Sequence, residues 1–417
     1  MTELIENIDE LPKVMLVSVD TGEYDVEHSL EELTELCRTA GAEVEAVATQ
    51  KRPAYDSSTC VGAGRLEEIA QICKDLAIDQ VIFDCELSAA QIRNIEKVLD
   101  VNTIDRTMLI LDIFAKHAKT REGKLQVELA QHRYRLPRLA GMGTALSRLG
   151  GGIGTRGPGE TKLETDRRHI RQRIQRLEEE LKEIVSRRDI ARKRRQKDGV
   201  LCAAIVGYTN AGKSTLMNAL TDAGVLAENK LFATLETTSR ALTLPDGRSV
   251  LLTDTVGLIS RLPHHLVEAF KSTLEEASSA DVIIMLLDAS SKQVKDEEEV
   301  VSELLSSLGC QGIPTVTVMN KCDLLDDGGQ SLIRHGRVAI SAKNKTGLSR
   351  LLEAVSKALP ETARRQRLLI PFSDIGFASK IREEGRVFSE EYRENGLFLD
   401  ALVDIKLITA ASKYLIE

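Results

Sequence analysis

GYTNAGKS, Gly207 to Ser214, follows the apolar run VLCAAIV and leads into TLMNALTDA. A strand that ends in GxxxxGK[ST] and opens a helix is the setting of a phosphate-binding loop. Its glycines let backbone N–H groups wrap an anion at the helix N-terminus. The Lys213 ammonium neutralises β and γ oxygens, and Ser214 offers a hydroxyl to Mg2+. Gly207, Tyr208, Thr209, Asn210, Ala211, Gly212, Lys213, Ser214 and Thr215 are therefore expected to form the phosphate end of a nucleotide site. An α/β sheet with its chemistry at the C-terminal ends of parallel strands follows from the same stretch.

Downstream, other apolar runs end in polar signatures of their own. PTVTVM runs into NKCD, Asn320 to Asp323, and VAI runs into SAK, Ser341 to Lys343. A carboxylate at Asp323 accepts from N1–H and N2–H2 of guanine, a pair that adenine lacks, so Asp323 selects GTP over ATP. Asn320 is expected to link the base loop to the phosphate loop, Lys321 to lay its stem on the base, Cys322 to fill a tolerant position, and the Ala342 amide, between Ser341 and Lys343, to meet the guanine oxygen. Three signatures in this order, each ending a strand, make chance a poor explanation.

SVLLT ends in DTVGLI, Asp254 to Ile259. Asp254 sits where a carboxylate reaches Mg2+ through a water, and the Gly257 amide can sense a γ-phosphate, with Thr255 and Val256 between them. In LFATLE, Phe232, Ala233, Thr234, Leu235 and Glu236, the hydroxyl of Thr234 is expected to close over the metal; Thr237 and Thr238 compete for that role. Lys213, Thr234 and Gly257 are the candidate catalytic groups, and Ser214, Thr234 and Asp254 the candidate metal ligands. Leu258 stands where many GTPases carry a glutamine that orients the attacking water. An apolar residue there requires another source of charge, either a partner or a K+ ion held by Asn210. The plainer alternative has Asn210 hydrogen-bonding its own loop.

Residues 13–106 alternate strand-like and helix-like runs and read as a small parallel α/β domain. From Arg106 the pattern is one long helix through Leu129. Ile170, Ile174, Leu177, Leu181 and Ile184 repeat at 4-3-4-3 spacing, a seam for a second helix paired antiparallel with the first. Between them, AGMGTALSRLGGGIGTRGPGETK (140–162) carries Arg148, Arg156 and Lys162 among glycines, and is much longer than a connector between paired helices needs. Past Pro360, LLIPFSD, a helix around SKIREEGRVFSE and LFLDALVDIKLI read as a βαβ-containing unit. The expected architecture is a multidomain α/β chain with an N-terminal α/β part (1–106), a helical hairpin with a basic glycine-rich loop (107–198), a P-loop GTPase domain (199–360) and a small C-terminal α+β domain (361–417).

The net charge of −8 conceals an asymmetry: Lys116 to Arg176 holds fifteen Lys and Arg against five Asp and Glu, so the remainder carries −18. One basic arm on an acidic chain points to a localised polyanion contact. With 3% aromatic residues and no Trp, phosphate contact suits that arm better than base stacking. Seven scattered cysteines without a CxxC pair argue against a disulfide framework or a zinc site. The acidic N-terminus has no basic region ahead of an apolar run and no stretch suits a membrane span, so secretion and spanning are not expected.

The combination resembles the HflX family of GTPases. The shared G-domain signatures are GYTNAGKST, LFATLE, DTVGLI, NKCD and SAK; the more specific ones are GKLQVELAQHRYRLPRL (123–139) and GGGIGTRGPGETKLETDRR (150–168). The resemblance covers essentially the whole chain and departs only conservatively, at Cys322 and Glu236. It implies GTP and GDP as ligands, Mg2+ as cofactor, and binding to the large ribosomal subunit and its rRNA. It further implies splitting or rescue of stalled ribosomes under stress, in the cytoplasm with peripheral membrane association as a further expectation, and by a monomer. Two other readings stay open: a GTP-dependent switch that recruits proteins, and an ATP-dependent RNA-remodelling enzyme built on the N-terminal domain. The glycine cluster VGAGRLEEI (61–69) reads as a structural turn in preference to a second phosphate loop, and His264 and His265 as exposed residues of the loop after DTVG.

Overall fold

KVMLVSVD, QVIF and NTID are short apolar runs bounded by polar turns, the pattern of strands buried on both faces of a parallel sheet. The computed structural model describes residues 11–139, 158–197, 199–221, 232, 238–255, 257–259, 261, 266, 277–334 and 337–416. They fall into two units: Met1–Arg187 with Glu228–Glu236 and Leu258–Ser272, and Arg188–Ala227 with Thr237–Gly257 and Thr273–Glu417.

In the first unit β1 (Lys13–Asp20), α1 (Val26–Ala40), β2 (Glu43–Lys51), α2 (Ala63–Asp75), β3 (Gln80–Phe83), α3 (Ala89–Leu99) and β4 (Asn102–Asp105) alternate along the chain. The strands pair in parallel in the order β2-β1-β3-β4. Asp25 caps α1 by accepting from the Glu27 and His28 amides, and Ser88 with Gln91 forms a capping box on α3. Met15, Val17, Phe83, Leu66, Ile69 and Ile95 form the core between sheet and helices.

Helix α4 (Arg106–His117) is separate from α5 (Arg121–Arg138), a correction to the single helix read through this stretch. The break has a local cause: the Thr120 hydroxyl accepts from the Gly123 amide at 3.1 Å and starts a new helix. Helix α6 (Pro158–Lys197) begins inside the segment read as loop, with proline at its first position, where a missing N–H costs nothing. Arg121 meets Glu180 at 3.1 Å and Glu128 meets Arg173 at 2.7 Å, so α5 and α6 run antiparallel. Leu125 and Leu129 pack with Ile174, Leu177, Leu181 and Ile184 along the seam.

The second unit continues with β5 (Leu201–Gly207), α7 (Lys213–Thr221), β6 (Thr238–Thr243), β7 (Ser249–Asp254), β8 (Val282–Asp288), α8 (Val294–Ser307), β9 (Thr315–Asn320), α9 (Gln330–Arg334), β10 (Val338–Ala339) and α10 (Leu348–Ala358). The sheet order is β10-β9-β8-β5-β7-β6, parallel except for the antiparallel edge strand β6. This is a P-loop GTPase fold. A smaller sheet, β11-β13-β12, follows from β11 (Ala363–Ile370), β12 (Arg386–Arg393) and β13 (Gly396–Asp404), with α11 (Ile375–Glu384) and α12 (Ile405–Ala411). β11 and β12 are each antiparallel to the central β13 and therefore parallel to one another, with α11 between them, so the unit contains a split βαβ as read. RVFSEEYR is a strand and not the end of a helix, turned back through Glu394 and Asn395 into β13, which opens at Gly396 (φ +146°). Among the described residues no helix is long and apolar enough to cross a membrane.

Candidate functional site

Strand β5 ends at Gly207, where a Cβ would lie 2.2 Å from the Leu286 carbonyl oxygen, so only glycine lets the chain turn here against β8. Gly212 combines φ +94° with a would-be Cβ 2.4 Å from Asn320 Nδ2. Between them Asn210, exposed at the loop, adopts φ 60°, a left-handed geometry that asparagine tolerates better than most residues. Tyr208, Thr209 and Ala211 are buried around it.

Lys213 opens α7 and is 7% exposed. Its Nζ donates to the carbonyl oxygens of Gly207 at 3.1 Å and Tyr208 at 2.8 Å. Burial pushes its pKa down to about 8, against the opposing pull of the Asp254 carboxylate. Ser214 Oγ donates to Asp254 Oδ2 at 2.9 Å. Asp254 closes β7 and is fully buried, and Thr255 beside it is pinned by a 2.7 Å bond from Oγ1 to the Ile205 carbonyl. A serine hydroxyl beside a buried carboxylate is a hard oxygen pair that suits Mg2+, next to a loop that presents amides to phosphates.

The base end is built by one side chain. Asn320, at the end of β9 and 3% exposed, donates through Nδ2 to the Ala211 carbonyl at 2.8 Å and accepts through Oδ1 from the Ala342 amide at 3.0 Å. It thus ties together the three loops that carry the separate signatures. Lys321, at φ 60°, is held by Asp288 at 2.8 Å. Sequence reasoning gave Asp288 no role, although an aspartate closing the apolar run VIIMLL was a usable signal. Cys322 is buried, Asp323 is exposed, Ser341 is buried with Oγ accepting from the Asn344 amide at 3.2 Å, and Lys343 is exposed.

Gly257 lies by the phosphate loop, its would-be Cβ 2.8 Å from Thr209 Cγ2 and 3.2 Å from Lys213 Nζ. Leu258 and Ile259 are 3% and 2% exposed, so Leu258 is a packing residue. Phe232 is buried in the first unit, edge-on to Phe114 with centroids 4.6 Å apart. Thr238, the alternative metal-closing threonine, is a ladder residue of β6 opposite Asp254. Ala233, Thr234, Leu235, Glu236, Thr237, Val256, His264, His265, Arg148 and Arg156 lie outside the described residues. Lys162 falls within α6 with its side chain likewise undescribed.

Family models match three stretches: a GTP-binding GTPase N-terminal region over residues 27–115, a GTP-binding GTPase middle region over 117–195, and a 50S ribosome-binding GTPase domain over 202–321. GTPase HflX of Lacrimispora saccharolytica is 49% identical over 98% of this chain and 98% of its own length. GTPase HflX of Caldanaerobacter subterraneus subsp. tengcongensis is 48% identical over 97% and 94% respectively. A GTP-binding protein from Sulfolobus solfataricus, solved with GDP, is 24% identical over 83% of this chain and 98% of that one, at a TM-score of 0.44.

Proposed function

This chain belongs to the HflX family of GTPases, and from that premise we propose that it binds the large ribosomal subunit and uses GTP to split or rescue stalled ribosomes under stress, in the cytoplasm. Hydrolysis of GTP is the chemistry that the family membership and the GTPase domain give it. The observation that carries the ribosomal reading is the charge distribution. An excess of ten positive charges gathers in 116–176, a stretch formed largely by the antiparallel helices α5 and α6 and the glycine-rich segment between them. A phosphate-rich partner neutralises such an arm, and each contact releases counterions.

At the nucleotide, Asp323 selects guanine, Asn320 and the Ala342 amide seat it, and the amides from Gly207 to Thr215 with Lys213 hold the phosphates. Ser214 and Asp254 are the residues that would hold Mg2+, with a threonine of the FATLETT segment completing the set, and the metal would supply positive charge next to the phosphates. The Gly257 amide reads the γ-phosphate. No polar group at position 258 orients water, so intrinsic turnover is slow and depends on the ribosome or on K+ beside Asn210 to stabilise developing charge. Co-sedimentation with large subunits over a salt series tests the reading. Replacing Arg148, Arg156 and Lys162 together by Ala weakens binding while sparing basal hydrolysis, and lowers the salt slope by about 0.7–0.9 per lost contact. Unchanged binding at every salt concentration makes the basic segment a solvated connector.

A further inference from the structure

Within the first unit, the turn between β2 and α2 is held in one geometry. Asp56 and Cys60 pair across it, amide to carbonyl in both directions at 2.8 and 3.0 Å, and the Asp56 carboxylate accepts from the Ser58 amide at 2.8 Å. Helix α3 fixes the same turn from outside: Gln91 Nε2 donates to the Asp56 carbonyl at 2.8 Å, and Asn94 Nδ2 to the Ser58 carbonyl at 3.0 Å. Cys60, at the end of the turn, is 1% exposed and takes φ 66°, a left-handed backbone that persists where surrounding contacts over-determine it. Its Sγ lies 3.1 Å from Sγ of Cys85. Cys85 follows the buried Asp84 just past β3 and packs against the core that contains Cys60. It is half-buried, so reagents in solution have a way to the pair. Both cysteines are free thiols.

We propose that Cys60 and Cys85 form a reversible disulfide, a redox-responsive modification site in the N-terminal α/β part of the chain. From 3.1 Å the two sulfurs reach a bond length of ~2.05 Å by a movement of ~1 Å, which small side-chain rotations supply. The oxidant is a small disulfide, RSSR. Cys85 Sγ gives up its proton and attacks one sulfur of RSSR, whose S–S bond breaks and releases one RS−. Cys60 Sγ, losing its own proton, then attacks Cys85 Sγ and expels the second RS−. Two electrons pass from the protein to the oxidant, and the two protons end on the two thiols released. The hydrogen bond with Cys60 and then burial hold the Cys85 thiol above its ordinary range, with Cys60, Asp105 and Asp84 adding to the shift. That slows the first attack near neutral pH, so the pair answers sustained oxidation. It also leaves the reduced state without the thiolate stabilisation that makes some dithiols strong oxidants, so the bond is retained until a thiol reductant attacks the half-buried sulfur. The bond ties the turn between β2 and α2 to the carboxyl end of β3, across 25 positions of sequence.

The test incubates the folded full chain with oxidised glutathione, unfolds it in an alkylating reagent, and maps the cysteines by mass spectrometry of the unreduced digest. The expected product is one cross-linked peptide pair joining Cys60 to Cys85, lost on treatment with dithiothreitol, with both sites withdrawn from alkylation together. Cys37, Cys73, Cys310 and Cys322, each buried, stay fully alkylated. Cys60→Ser halts the reaction at a glutathione adduct on Cys85, and Cys85→Ser leaves Cys60 as a free thiol, because the oxidant reaches it only through its partner. Closing the bond raises the melting temperature of the wild-type chain and leaves that of either variant unchanged. A wild-type chain that stops at the Cys85 adduct, or that keeps both thiols alkylatable, overturns the proposal. A Cys60–Cys85 link that forms only when the oxidant is added to unfolded chain overturns it as well. The mapping of the wild-type chain decides by itself should a variant fail to fold.

Discussion

The side-chain amide of Asn320 donates to the backbone carbonyl of Ala211 at 2.8 Å, joining the guanine signature to the phosphate loop across 109 residues of sequence. The same side chain accepts from the Ala342 amide, so one buried residue sets the spacing between the loops proposed to hold the base and the phosphates. Asn320→Ala removes both bonds and leaves a carbonyl and an amide without them. Taking ~0.5–1.5 kcal/mol per bond, GTP and GDP affinity both fall by about one to two orders of magnitude. Equilibrium titration with the two nucleotides checks this; a loss confined to GTP contradicts it.

Asp323 is exposed at the loop after β9, free of burial that would resist an exchange of its carboxylate. Asp323→Asn is expected to transfer preference from guanosine to xanthosine nucleotides, because the amide matches the altered purine edge. The loss of two charge-assisted bonds, ~1.5–3 kcal/mol each, lowers GTP affinity by several kcal/mol. Competition between GTP and XTP for the variant measures it, and undiminished GTP binding removes Asp323 from the base site.

Lys213 carries a pKa depressed to about 8 by burial, beside a carboxylate that opposes the shift. In the unfolded chain the amine titrates near 10.4. Between these values the unfolded state binds more protons than the folded one, so this residue's contribution to stability rises with pH from about 8 to about 10.4 and is flat below that window. Phosphate oxygens restore the charged form, so nucleotide binding above about pH 8 takes up a proton and weakens as the pH climbs. Calorimetry of GDP binding at pH 8.5 in buffers of different ionisation enthalpy reads the uptake directly. Zero uptake means that the amine is already charged before nucleotide binds.

Much of this was legible in the sequence, and the boundary has a physical cause. A parallel strand that ends in a phosphate loop or a base-reading tetrapeptide announces itself locally, since the apolar run and its polar terminus are contiguous. The seam of Ile174, Leu177, Leu181 and Ile184 was legible for the same reason. The break before α5 depends on one capping hydroxyl, Thr120, inside a continuous apolar pattern, and β12 was read as helix because RVFSEEYR alternates weakly and sits largely exposed at a sheet edge. The Asp84–Arg261 pair had no local signal, because ion pairs between residues 177 positions apart leave no periodicity.

Asn210 holds a left-handed backbone at the mouth of the phosphate loop. If it carries K+ beside the phosphates, basal turnover is faster in K+ than in Na+, and Asn210→Ala abolishes the difference without preventing GDP binding. A gain of about 10-fold corresponds to ~1.4 kcal/mol of barrier. Equal single-turnover rates in the two salts discard the cation and leave the proposed ribosomal partner as the candidate source of the missing charge.

The most direct test of a GTP-controlled action on ribosomes is sedimentation of intact ribosomes mixed with the protein and GTP, GDP or a non-hydrolysable GTP analogue. The account predicts that GTP and the analogue move ribosomes into separated subunits, with the protein travelling on the large one, while GDP leaves them intact and the protein at the top of the gradient. Ribosomes that stay whole with every nucleotide, or a protein that never enters the gradient with the large subunit, contradict it.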